Sequence, residues 1–281
     1  MTSAKFKTDK SSEPWLLSIP VQYLPKYEIE NDSEGNKHLK NIEGNSQFTI
    51  PVDEVALVLI DTWIERDESA SSKTILQHQK EILEKCRKYG VTIIHTPNKP
   101  VVNKYPQYHV LRRTVREFLK EFNEQSHKPP PYLSWPSPTN EVWRKTQQIR
   151  KVGRAPYYEL HPQIERDISR PLKPLEDEYV LHTYTEFRYV LWLQKINLLL
   201  YIGGTLNECM QHRDTGVNLL AGIDSRRVPI TIVVLQDCSS AMSSPNFDAK
   251  MAAQAMLDYY KFKIAFTANS KDLRFTNRSS T

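Results

Sequence analysis

The sequence predicts an α/β protein, a three-layer sandwich with a mainly parallel sheet of about six strands and helices on both faces. Three observations carry this. Short, dense apolar runs, VALVLI at 55–60 and LLLYI at 198–202 above all, read as strands covered on both faces, as parallel sheets require. Stretches with helical apolar spacing alternate with these runs. A strand–helix–strand order then implies parallel pairing through right-handed crossovers.

The elements follow in chain order. Residues 1–14 are polar and read as disordered. Residues 15–29 hold strand-like pieces broken by Pro20 and Pro25, and the polar, Gly-containing stretch after them reads as a loop or hairpin. Residues 1–50 are therefore expected to form an extension packed on the core. The first core strand, 55–60, ends in Asp61. A helix is expected over 72–89, with Ile75, Ile82, Leu83 and Cys86 on one side and Gly90 as its stop. A strand at 91–95 completes the first unit.

Residues 97–176 interrupt the pattern and read as an insertion. Helices are expected near 109–124 and 139–151, with the proline-rich HKPPPYLSWPSPT between them carrying Tyr132 and Trp135. A second aromatic stretch, APYYELHP, follows. An excursion of this length reads either as a lid over a pocket or as a surface or oligomer contact. The pattern resumes with a strand at 179–183, a helix at 186–195 and a strand at 198–202. One amphipathic helix is expected next, with Met210, Val217, Leu220 and Ala221 on one face and Asn207 or Thr205 as its cap. A strand at 230–235, a helix at 247–260 and a last strand at 262–266 close the domain, 51–268. The tail 269–281 is expected to be flexible.

Composition bounds the function. The net charge of +5 over 281 residues is mild, and no basic run with interleaved aromatics argues for nucleic acid. No apolar run approaches the roughly 20 residues of a membrane span. Three scattered cysteines, Cys86, Cys209 and Cys238, do not make a disulfide framework. With no signal-like N-terminus, a cytoplasmic location is the expectation. Gly203-Gly204-Thr205 lacks the spacing of a phosphate loop.

Three polar residues fall at or near strand ends: Asp61, His182 and Cys209. Open α/β sheets place their sites at the carboxyl ends of strands. Cys209, after a Gly-Gly turn and in the first turn of the expected helix, is the candidate nucleophile; the helix N-terminus would favour its thiolate. His212, three residues on, reads as a surface residue, and Cys238 as structural.

VALVLIDTW, VLHTYTEF and GGTLNECM resemble, in order and spacing, the three signature segments of the isochorismatase-like cysteine hydrolases. The resemblance covers about residues 54–100 and 178–266. It implies a catalytic Asp at Asp61 and a nucleophile at Cys209, which follows Gly203 by six places. It places His182, five before Phe187, where the family has a catalytic Lys. It implies a non-proline cis peptide from Gly204 to Thr205 and an oxyanion hole from the N–H groups of Thr205 and Cys209. Leu206 stands where Thr is frequent, Arg213 where a small Thr is common, and Trp63 where Gln is frequent. Trp63, Glu65, Glu186, Phe187, Tyr132 and Trp135 are candidate substrate contacts; Glu65, Glu186 and Trp63 also read as ordinary flanking residues.

The implied chemistry is hydrolysis of a small amide, ureido or related C–N substrate through a thioester. His182, or a lysine from elsewhere, would stabilise the thiolate, and no metal or organic cofactor is needed. A non-catalytic relative serving as a binding or oligomeric scaffold is the second reading. Vinyl-ether hydrolysis is a third, and the presence of Cys209 weighs against it. The resemblance also implies a homo-oligomer, a dimer or tetramer.

Overall fold

In a computed structural model of the chain, nine strands form one mixed sheet. The structure describes residues 15–62, 70–123, 148–149, 167–220 and 230–277. The strands are β1 (Trp15–Asn31), β2 (Lys37–Pro51), β3 (Val55–Ile60), β4 (Thr92–Thr96), β5 (Tyr179–Val180), β6 (Leu198–Gly203), β7 (Thr231–Leu235), β8 (Phe266–Ala268) and β9 (Arg274–Asn277). Their order is β2-β1-β8-β7-β6-β3-β4-β5, with β9 also paired to β1.

This corrects the expected mainly parallel sheet of about six strands. The foreseen strands correspond to one block, β8 to β5, in which all pairings are parallel. The difference lies at the N-terminal side. β1 and β2 form a long antiparallel hairpin that joins the sheet through β8 and β9. The strand-like pieces expected over 15–29 are one strand, β1, and the polar stretch expected as a loop or hairpin carries β2. That this hairpin joins the sheet is not legible in the sequence, because half-exposed strands leave weak patterns. The 262–266 strand is corrected to β8, since the preceding helix runs on to Lys263. Part of the tail is not loose, because β9 pairs Trp15–Ser18 of β1.

The helices are α1 (Ala70–Lys88), α2 (Lys99–Val102), α3 (Pro106–Asn123), α4 (Tyr184–Leu193), α5 (Cys209–His212), α6 (Val217–Leu219) and α7 (Ala249–Lys263). α1 sets Ile82, Leu83 and Cys86 into one core with Leu57, Leu59, Ile93, Leu200 and Ile202. Alternation along the strands sends Ala56, Val58, Ile60, Leu199 and Tyr201 to the opposite face, and these are fully buried too. Both faces of the parallel block are therefore covered.

By internal contacts the chain divides into two units: residues 1–115 with 168–281, and residues 116–167. The second falls inside the expected insertion. Of it, the end of α3, the helical residues 148–149 and Asp167 are described. Expectations for residues 1–14, the rest of the 139–151 helix, Tyr132, Trp135 and the 155–162 stretch lie outside the described residues, as does Ala221. No helix among the described residues is long and apolar enough to cross a membrane.

Candidate active site

β3 and β6 are direct neighbours, with Ile60 opposite Gly203. The residues that follow them therefore meet at one edge of the parallel block. Asp61 continues β3 with φ +43, a left-handed conformation uncommon for a residue with a side chain. The chain after β6 turns through Gly203 at φ +84 and Gly204 at φ +49. A Cβ on Gly203 would lie 2.4 Å from the Ile60 carbonyl oxygen and 2.5 Å from Thr62 Cγ2. Only glycine fits this crossing.

The turn is fastened from several directions. Thr205 bridges to Ser240, whose carbonyl accepts from the Leu206 N–H at 2.7 Å. Asn207 does not cap a helix. Its amide donates to the Met242 carbonyl and accepts from the Met242 N–H, both at 2.9 Å. The Thr205 carbonyl receives the Glu208 and Met210 N–H groups, each at 3.1 Å. The buried Tyr260 hydroxyl of α7 donates to the Leu206 carbonyl at 2.5 Å. Cys209 emerges half-buried as the first residue of α5.

The single amphipathic helix expected here is corrected to two short ones. α5 stops at Arg213, whose ψ of 154° is extended. Tyr201 of β6 donates its hydroxyl to the Thr215 carbonyl at 2.8 Å, holding the link against the sheet. The break directs Arg213 onto Asp61. Nε lies 2.7 Å and Nη2 2.5 Å from the same oxygen, Oδ2. The Asp61 side chain is fully buried, whereas the Arg213 side chain keeps 30% of its surface. Asp61 Oδ1 is buried and accepts no hydrogen bond among the described residues.

Cys209 stands beside this pair, within reach of both charges. Burial pushes its thiol up to about 11, and the Asp61 charge adds to the rise; Arg213 and the Thr205 N–H oppose it. The expectation that a helix N-terminus would favour the thiolate is therefore corrected. α5 has four residues and little dipole to offer, and the group rests as a thiol. Cys86 and Cys238 are fully buried, and both thiols are pushed higher still, chiefly by burial.

His182 follows β5, which is separated from β3 by β4. Among the described residues its side chain makes no hydrogen bond or ion pair, and its backbone N–H donates to Glu186 Oε2 at 3.0 Å. Glu186 and Phe187 likewise have structural placements. Glu186 completes a capping box with Thr183 at the start of α4, and Phe187 is fully buried in the core. His212 is exposed. Trp63 and Glu65 lie outside the described residues.

Arg213 is the residue that sequence reasoning did not place in the site. A signal existed: a carboxylate at a buried strand end needs a cation, and Arg213 is the one Lys or Arg between Thr205 and Val217. Among the described residues no group of three His, Cys, Asp or Glu side chains is arranged to hold a metal ion.

The fold is similar to a cysteine hydrolase from Pseudomonas syringae pv. phaseolicola 1448A, at 14% identity and TM-score 0.49 over 79% of this chain and 91% of that one. It is similar to an isochorismatase from Pseudomonas putida KT2440, at 14% identity and TM-score 0.44 over 78% and 90%. It is similar also to an N-carbamoylsarcosine amidase from Thermoplasma acidophilum, at 14% identity and TM-score 0.41 over 77% and 96%. No family model matches the sequence, and no curated protein matches it.

Proposed function

We propose that the protein is a cysteine hydrolase acting on a small amide, ureido or related C–N substrate. The observation that carries this is the Cys209 thiol beside Asp61, whose Oδ1 is buried and accepts no hydrogen bond among the described residues. A buried acceptor without a donor is costly, and beside a thiol it is the natural receiver of the proton. The Thr205 N–H, already directed at the sulfur, is a ready donor to a developing oxyanion.

In this reading Cys209 Sγ attacks the substrate carbonyl carbon as its proton passes to Asp61 Oδ1. The tetrahedral intermediate collapses with cleavage of the C–N bond, and Asp61 returns the proton to the departing amine. A thioester remains on Cys209. Asp61 then takes a proton from water, whose oxygen attacks the thioester carbonyl. The acid leaves and the thiol is restored. A resting thiol suits this scheme, because the charge forms only when a substrate excludes water from the site.

The second reading, a non-catalytic scaffold, draws on the high thiol pKa and on the Asp61–Arg213 pair, which satisfies much of the site without a substrate. Hydrolysis assays on a panel of small primary amides and ureides separate the two. The hydrolase reading expects turnover by the wild type, and losses of about 10³-fold or more in Cys209→Ala and Asp61→Asn. No turnover on any member of the panel, or equal turnover by Cys209→Ala, favours the scaffold.

A further inference from the structure

We propose that Arg213 is the positioning residue of this site: it grips Asp61 by Oδ2 alone, so that Oδ1 is left facing the Cys209 thiol, and it supplies the positive charge expected from His182. This deepens the hydrolase reading and rests on it.

Two features of the geometry carry the inference. First, both close contacts of the guanidinium, from Nε and Nη2, fall on one oxygen. A paired carboxylate usually offers both oxygens to the fork. Here the second oxygen is withheld, buried and without a hydrogen bond among the described residues. Second, Arg213 reaches Asp61 because the chain leaves the helical path immediately after His212, and Tyr201 anchors Thr215 just beyond. The local fold is built around that reach.

The chemical consequence is specific. Guanidinium stays charged across the working pH range, whereas imidazole does not. Arg213 can therefore set the field at the sulfur but carry no proton, and all proton traffic falls to Asp61. Among the described residues the charged groups acting on Cys209 are Asp61, from the end of β3, and Arg213, from the link after α5. They oppose each other, so removing the positive one leaves the negative one uncompensated.

The experiment is the pH profile of Cys209 alkylation by iodoacetamide in the full-length protein, followed by peptide mass mapping. It needs no substrate, so it stands apart from the hydrolase reading, whose failure appears as absence of turnover. Arg213→Gln keeps an N–H donor and loses the charge. It should move the midpoint upward and slow labelling near pH 8 by about tenfold, one unit of pH. Arg213→Lys keeps the charge and loses the fork, and should slow it by about threefold. His182→Ala should follow the wild type. If Arg213→Gln does not fold, Arg213→Lys decides by itself. Profiles for the Arg213 variants that superimpose on the wild type, or a shift in His182→Ala in their place, would overturn the proposal.

Discussion

At the scale of single residues, Gly203 decides whether the two strand ends can meet. It combines a positive φ with a contact that no Cβ could occupy. Gly203→Ala should cost at least about 3 kcal/mol, from left-handed strain plus displacement of the Ile60 carbonyl. Thermal unfolding should then fall by roughly 6–12 °C. An unchanged midpoint would mean that the crossing is not fixed as described. Much of this was readable beforehand. The double glycine after an apolar run, the Asp at the end of another, and the cysteine six places on all mark the same edge. Arg213 was harder, because sequence position does not reveal a helix that breaks. The place of His182 was harder too, because the sequence does not reveal that β5 pairs with β4 on the side away from β3.

At the scale of elements, the link between β4, α1 and β5 depends on one buried charge cluster. Glu178 receives Arg87 Nε at 2.6 Å and Nη2 at 2.9 Å, and His95 Nε2 at 2.9 Å. A carboxylate only accepts, so His95 carries its proton on Nε2. Burial pushes Glu178 up, but Arg87, His95 and the Leu175 N–H outweigh it and bring it down to about 2. Burial also holds His95 below its ordinary 6.5, although Glu178 works against this. Both shifts have the same consequence. A group whose folded pKa lies below its unfolded value stabilises the fold above that value and loses the contribution as pH falls. Denaturant midpoints should therefore decline as pH drops below about 6.5, through His95, and more steeply from about 4.5 toward 2, through Glu178. Glu178→Gln should flatten the lower part of this curve. A variant curve parallel to the wild type would contradict the assignment. None of this cluster was legible in the sequence, where Glu178 lies 91 residues from Arg87 and 83 from His95 and no motif joins them.

At the scale of the whole molecule, the first and last described strands, β1 and β9, secure each other. β9 pairs with β1, and Phe275 stacks on Tyr89 of the α1–β4 turn with ring centroids 4.4 Å apart and planes 7° from parallel. Trp15 meets Tyr89 edge-on at 4.8 Å. A chain stopped after Leu273 should lose about 2–3 kcal/mol of stability from this apolar and aromatic contact. Equal stability by denaturant titration would mean that the C-terminal strand is an ornament. The parallel block was legible because its strands are apolar throughout. The antiparallel margin was not, because β2 is mostly exposed and reads like a loop.

The proposed hydrolysis requires that Cys209 become covalently acylated while a C–N bond is cleaved. The most direct measurement is the intact mass of wild-type protein quenched in acid during turnover of an amide or ureide, followed by peptide mapping. The account predicts an acyl adduct on Cys209 that neutral hydroxylamine removes, and none in Cys209→Ala. Turnover with no adduct on Cys209, or with an adduct on Cys86 or Cys238, would contradict it.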